Sequence, residues 1–320
     1  MQNYYVEYMY DPIAHYYEEI FPVSENQIRF VLSSLRNAGA VRPERHNGGG
    51  AAAAVAPLRL LDVGCAVGDL AAAVTQAGCS TDRDAGRTAI APGIEVVAID
   101  LSSAMIQRAA ARHSESVRTG RLHFQRMDML KIAEEFEPES FDAIACLGNT
   151  LVHQPGPLEI ERFLKAASRI LRSASTGSRT PGRQGGTSGP ASTPDSAAAR
   201  SPGGILVLQL LNYDYLLQER PKQLPLTETE HVRFEREYSY TTGSGTGSKD
   251  IRVVFTTRLR IKSTGEVYED SIELYPLRRT ELETLLKSAG FGRMRFYGGF
   301  DGSPLEPDSF PLVVVAAPQQ

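Results

Sequence analysis

Three aspartates stand at or just after the ends of expected strands, and they hold the chemistry most open to reading in this sequence. The first, Asp62, closes Leu58-Arg59-Leu60-Leu61 and leads into Val63-Gly64-Cys65-Ala66-Val67-Gly68-Asp69. The run reads as a buried strand, and the residues after it as a glycine-bearing turn before a helix over 70–77. Glycine admits backbone angles closed to other residues and lets N–H groups come close to a ligand. A dinucleotide fingerprint would place glycines at 64, 66 and 69, but Ala66 and Asp69 stand here. The Gly-Lys-Ser/Thr of a phosphate loop is also missing from this turn. A carboxylate at the strand end suits a ligand with positive charge better than a phosphate.

Asp100 closes the second run, Ile94–Ile99. A carboxylate so placed can accept two hydrogen bonds from a ribose diol. Its separation from Asp62 exceeds the roughly 20 residues usual for that role, and the polar stretch 80–92 accounts for most of the excess. The alternative is that Asp100 merely caps the following helix, 103–112. Asp128, after a third strand over 121–126, is open between ligand contact and a simple turn aspartate. His153 follows the fourth strand, 141–147, whose carboxyl end faces the ligand crevice in open α/β sheets. It is either a general base or a structural histidine in the crevice wall. Cys65, Cys79 and Cys146 lack the paired spacing of a zinc site and read as reduced thiols, a catalytic thiol at 65 or 146 being the alternative. No metal set is expected.

The elements that position these residues follow from pattern. Strands alternate with helices from 58 to 211, which predicts a mostly parallel sheet; the helix 158–171 precedes a fifth strand, 204–211. From 228 to 274 the pattern changes to alternating strands with hairpin turns, a small antiparallel sheet roofing the crevice. A helix over 280–289 carries a Thr280/Glu283 capping box and stops at Gly290. Two last strands, 294–297 and 312–316, close the sheet antiparallel at its edge. Before the core, a tyrosine-rich stretch from Tyr4 to Tyr17 precedes and enters a helix over 13–20, with a second helix over 25–38; its tyrosines either pack with their hydroxyls at the surface or fold over the ligand as a lid. The expected domains are a helical lid (1–38), a linker (39–57), a core (58–227, with a disordered insertion at 173–203), a β subdomain (228–276) and closing elements (277–320).

At 320 residues and net charge −4, neither nucleic acid nor an anionic membrane is expected as main partner. No apolar run is long enough to span a bilayer, and the first residues lack signal-peptide character. A cytoplasmic protein is expected, with homo-oligomerisation left open.

The order of motifs resembles class I S-adenosylmethionine (SAM) methyltransferases. Four stretches are similar to glycine/sarcosine N-methyltransferases: Cys146–His153, Asn212-Tyr213-Asp214-Tyr215, Leu274-Tyr275-Pro276 and Gly299-Phe300-Asp301. The resemblance implies a Rossmann-like α/β fold with a seven-stranded sheet, SAM as cosubstrate and a small-molecule acceptor. It implies a cofactor pocket from Asp62, Gly64, Ala66, Gly68, Asp100, Leu101, Met105, Asp128, Met129 and Leu147, with Tyr10 and Tyr17 from the amino-terminal tyrosines. Asp128 and Met129 would meet the adenine. Asn149, Tyr213 and Tyr275 would lie near the acceptor, with His153 the candidate base. Two arginines of the resembling enzymes are absent: Leu211 replaces the one that binds the substrate carboxylate, and Ser24 is nearest to the one that grips the cofactor's carboxylate. An acceptor without a carboxylate is expected, unless Arg278 or Arg279 substitutes. The rival functions are a small-molecule O-methyltransferase, a non-catalytic SAM sensor and, disfavoured by Ala66 and Asp69, an NAD-dependent oxidoreductase.

Overall fold

The continuous apolar runs become central strands covered on both faces, as parallel sheets require. The computed structural model describes residues 10–39, 56–78, 93–174, 203–242 and 251–319. The expected linker, both expected insertions and most of the 242–247 turn lie outside these, apart from their end residues. A 3₁₀ turn (Ala14–Tyr16) is followed by α1 (Tyr17–Ile20) and α2 (Glu25–Gly39). Then come β1 (Leu58–Val63), α3 (Asp69–Ala77), β2 (Ile94–Asp100), α4 (Ser103–Arg112), α5 (Ser114–Arg118) and β3 (Leu122–Arg126). Next are α6 (Ile132–Glu135), β4 (Ala143–Cys146), α7 (Pro157–Ile170), β5 (Ile205–Leu211) and α8 (Tyr213–Glu219). The chain continues through β6 (Thr227–Glu228), β7 (Val232–Thr242), β8 (Ile251–Ile261) and β9 (Val267–Leu274). It ends in α9 (Arg279–Ser288), β10 (Phe291–Tyr297) and β11 (Pro311–Pro318).

The main sheet has the order β10-β11-β5-β4-β1-β2-β3. Strands β1 to β5 pair in parallel, for example Leu60 with Val96 and Leu61 with Ile144. β11 runs antiparallel to both β5 and β10. Strand order reverses between β1 and β4, so the crevice at the switch point opens over the carboxyl ends carrying Asp62 and Leu147. On one face, α2 buries Val31 and Leu35 with Leu60, Ala71 and Val207; on the other, α7 buries Phe163 and Ile170 with Ile144 and Leu208. β6 to β9 form a second, antiparallel sheet.

Two local expectations are corrected. Residues 13–20 form a 3₁₀ turn and a single α turn rather than one helix. The capping box is not made: α9 starts at Arg279, one residue earlier, which puts Thr280 inside the first turn. Asp214 Oδ2 accepts the Arg279 N–H at 3.1 Å instead, and Glu283 pairs with Lys287 at 2.7 Å. α8, which supplies Asp214, had no strong sequence signal because it is short.

Candidate functional site

Two adjoining cavities lie over the carboxyl ends of β1, β2 and β4. The larger, about 360 Å³, falls in the usual size range of small-molecule sites; the smaller is about 100 Å³. They share walls from Tyr10, Tyr17, Gly64, Ala66, Thr150 and His153. Asp62, Leu147 and Asn149 line the larger one, and Asp100, Leu101, Met105, Asp128 and Met129 the smaller. Gly68, Tyr213 and Tyr275 line neither.

The turn after β1 is held open by backbone geometry. Gly64, Ala66 and Gly68 all have positive φ (71°, 49° and 79°). A Cβ on Gly64 would come within 2.5 Å of Thr150 Cγ2, and one on Gly68 would strike the Phe124 ring. Asp100 braces this turn. Its Oδ2 accepts the Ala66 N–H and its Oδ1 the Ser102 N–H, both at 2.9 Å. It does not cap α4; Ser102 does, accepting the Met105 N–H at 3.1 Å. Asp128 Oδ1 accepts the Leu130 N–H at 2.9 Å, so this aspartate shapes its turn as well as lining the cavity.

Asp62 differs from the other two. It is buried, and its Oδ2 has no hydrogen-bond partner. Burial, reinforced by the nearby Asp100 charge, pushes its carboxyl up to about 7. Burial pushes His153 down to about 4, so its imidazole is neutral at physiological pH. Tyr10 Oη lies 3.2 Å from His153 Nε2, while Nδ1 is buried without a partner. The Cys65 and Cys146 thiols are pushed up by burial and stay protonated, which removes the thiolate a catalytic cysteine needs.

The amino-terminal segment crosses the site. Ser102 Oγ donates to Asp11 Oδ1 at 2.9 Å, and Glu18 pairs with Arg108 at 2.6 Å and Arg112 at 3.1 Å. These contacts seat Tyr10 and Tyr17 against both cavities. Asn149, itself at φ 67°, accepts the Leu211 N–H at 3.0 Å and donates to Tyr213 Oη at 3.1 Å. Tyr213 is therefore packed behind Asn149 and 1% exposed. The Tyr275 hydroxyl donates to Glu281 at 2.7 Å, away from both cavities.

Neither Arg278 nor Arg279 reaches the larger cavity: Arg278 lies 3.9 Å from Asp214, and Arg279 stacks on Phe296. Sequence reasoning missed the residues that β7 to β9 contribute, Arg236, Tyr238, Phe255 and Leu274. It also missed Gln209, whose Oε1 accepts the Gly148 N–H at 2.8 Å. The strict alternation of Val232–Tyr238 was the available signal, since it sets Phe234, Arg236 and Tyr238 on one face. Among the described residues, no three His, Cys, Asp or Glu side chains gather to hold a metal, and no helix is long and apolar enough to cross a membrane.

Residues 60–174 match a family model described as a methyltransferase domain. No curated protein is a significant sequence match. Among solved structures, an S-adenosylmethionine-dependent methyltransferase from Clostridium acetobutylicum ATCC 824 is 12% identical with a TM-score of 0.64, covering 97% of this chain and 99% of that one. The CcbJ methyltransferase from Streptomyces caelestis is 12% identical with a TM-score of 0.63, covering 95% and 96%. SAM-bound CalS10, an amino pentose methyltransferase from Micromonospora echinaspora, is 16% identical with a TM-score of 0.52, covering 95% and 96%. At these identities the likeness is one of fold. Residues 60–174 are thus similar to a methyltransferase domain, set in a Rossmann-like α/β fold shared with these enzymes.

Proposed function

We propose that this methyltransferase transfers a methyl group from SAM to the nitrogen of a small-molecule amine, the class to which glycine and sarcosine belong. The observation that carries the reading is Asp62: a buried carboxylate oxygen without a partner, in a cavity wall beside a glycine turn. An unpaired buried carboxylate is costly. A cationic ligand relieves that cost, and SAM carries both an ammonium and a sulfonium. Asp62 would face the ammonium, Asp100 the ribose hydroxyls, and Asp128 with Met129 the adenine. When bound, SAM supplies a methyl group already activated on a positively charged sulfur.

The protein's own task is then to hold the acceptor in line, and positioning can supply on the order of 7–11 kcal/mol in well-oriented cases. The sheet β6–β9 would serve as the acceptor's roof, with the main sheet and its helices as the SAM-binding unit. Burial away from a carboxylate disfavours a protonated amine, as it does a protonated His153. The acceptor nitrogen gives up its proton to solvent before its lone pair attacks the methyl carbon and the S–CH₃ bond breaks. A hydroxyl acceptor needs a stronger base than an imidazole at about 4. An amino-sugar acceptor in one fold relative fits the same preference.

Methyl-labelled SAM incubated with matched small amines and alcohols tests this, with label expected in the amines. Label in alcohols alone would overturn the nitrogen assignment, and tight SAM binding with no transfer would make the protein a sensor.

Asp62 also predicts a pH dependence. In the ligand-free fold it keeps a proton that the unfolded chain releases near pH 4, so its contribution to stability falls as pH rises from about 4 to about 7. His153 has the opposite slope, gaining stability as pH rises from about 4 to about 6.5. The two largely cancel, which makes affinity the cleaner readout. SAM affinity should rise roughly tenfold per unit up to pH 7 and then level off. Calorimetric titration of Asp62→Asn should give weak binding with no such rise; the same slope in that variant would remove Asp62 from the cation site.

A further inference from the structure

We propose that Arg236 anchors an anionic group, a carboxylate or a phosphate, on the methyl acceptor. The acceptor would then be an amine that also bears a negative charge. This rests on reading the larger cavity as the acceptor site.

Arg236 lies in β7 and lines that cavity. Its guanidinium carbon is 5.5 Å from the centre of the Phe21 ring and 5.9 Å from that of Phe234, so aromatic faces hold it in place. Nη2 donates to Pro225 O at 2.9 Å and to Thr227 Oγ1 at 3.4 Å. Nε is buried without a partner, and Nη1 makes no hydrogen bond among the described residues. No carboxylate among them pairs with Arg236, whereas Arg233 on β7 pairs with Glu235 at 2.9 Å and Arg258 on β8 with Glu269 at 2.6 Å. Glu235 and Glu237 flank Arg236 and share a separate cavity with it, but Glu235 pairs with Arg233 and Glu237 accepts from Gln223 Nε2 at 3.3 Å. Burial lowers the Arg236 pKa, opposed only by the neighbouring Tyr238 hydroxyl and by no carboxylate.

A half-buried guanidinium with free donors and no counter-ion is poised for a planar anion, which its fork binds through two oxygens. Asp62 belongs to the main sheet and lines the same cavity. The cavity therefore has an anionic wall beside the glycine turn and a cationic one under the roof. That arrangement assigns SAM's cationic end to the first and an acceptor's anion to the second. Arg236 thus supplies a cation that is absent at Leu211, from a different element.

The test uses Arg236→Gln and Arg236→Lys. Acetate and inorganic phosphate, titrated against chloride at equal ionic strength, should raise the melting temperature of the SAM-saturated wild type by about 2–4 °C. The better of the two identifies the anion. The rise should vanish in Arg236→Gln and survive in part in Arg236→Lys, with SAM affinity within twofold of wild type in both. In transfer assays, glycine against glycinamide and ethanolamine phosphate against ethanolamine should show the charged member preferred at least tenfold in one pair, and Arg236→Gln should erase that preference. An equal anion response in Arg236→Gln would overturn the proposal. So would loss of SAM affinity in that variant, since the arginine would then hold the cofactor's own carboxylate. If the wild type binds no SAM, the methyltransferase reading fails separately, and the anion titration still reads on Arg236 without it.

Discussion

Asp100→Ala should lower SAM affinity by a hundredfold or more and lower the melting temperature by several degrees. Two ribose hydroxyls would lose charge-assisted hydrogen bonds worth roughly 1.5–3 kcal/mol each. The same carboxylate accepts the Ala66 and Ser102 N–H groups at 2.9 Å, so its removal also orphans two donors in a buried turn. Each orphan costs about 1–3 kcal/mol. Ala66 holds a φ of 49° that an alanine does not choose unaided, and the Asp100 contact is what fixes it. Asparagine should be intermediate, since one oxygen still accepts while its NH₂ opposes the second N–H. Calorimetry and a thermal melt on the same samples separate the two effects. A lower melting temperature with unchanged affinity would leave Asp100 as a brace for the turn and nothing more.

Gly64→Ala should cut methyl transfer at least tenfold and destabilise the fold by about 1–2 kcal/mol from its φ of 71° alone. The added Cβ would press on Thr150, 2.5 Å from Cγ2 and 2.6 Å from Oγ1. Thr150 cannot simply rotate away, because Oγ1 donates to Leu147 O at 2.7 Å. It opens the 3₁₀ turn Thr150–His153, so displacement there moves His153 in the wall between the cavities. Thr150→Ala in the Gly64→Ala background should recover part of the activity by relieving the side-chain clash. No recovery at all would place the whole defect in the backbone angle.

The alternation of strands and helices was legible because β1, β2, β4 and β5 are mostly apolar runs, the first two with an aspartate at or next to the end. Asp62 and Asp100 were singled out for the same reason. Orientation was harder to read. Tyr213 and Tyr275 were assigned near the acceptor by resemblance, which transfers a position along the chain but not the direction of a side chain. Tyr213 is spent on Asn149, and the Tyr275 hydroxyl on Glu281. Arg236 was invisible for a related reason: alternation groups it with Phe234 and Tyr238, yet which face of β7 looks inward depends on how the second sheet docks. The capping box failed because a carboxylate from a distant helix reached α9 first.

The placement of β11 sets an order on how the molecule is made. β5 is complete at Leu211, yet the strand that covers its outer side begins at Pro311, which pairs with that same Leu211. Synthesis proceeds from the amino terminus at about 5–20 residues per second. Throughout that interval β5 has β4 on one side and a bare row of N–H and C=O groups on the other. The exposed strand is Ile205–Leu211, rich in leucine and valine, the kind of open edge that recruits strands from other chains. The whole second sheet, with Arg236 and the roof of the cavity, leaves the ribosome while this edge is open. Prompt pairing of β7 with β8 and of β8 with β9, both antiparallel neighbours in sequence, keeps those strands from adding to β5 in place of β11.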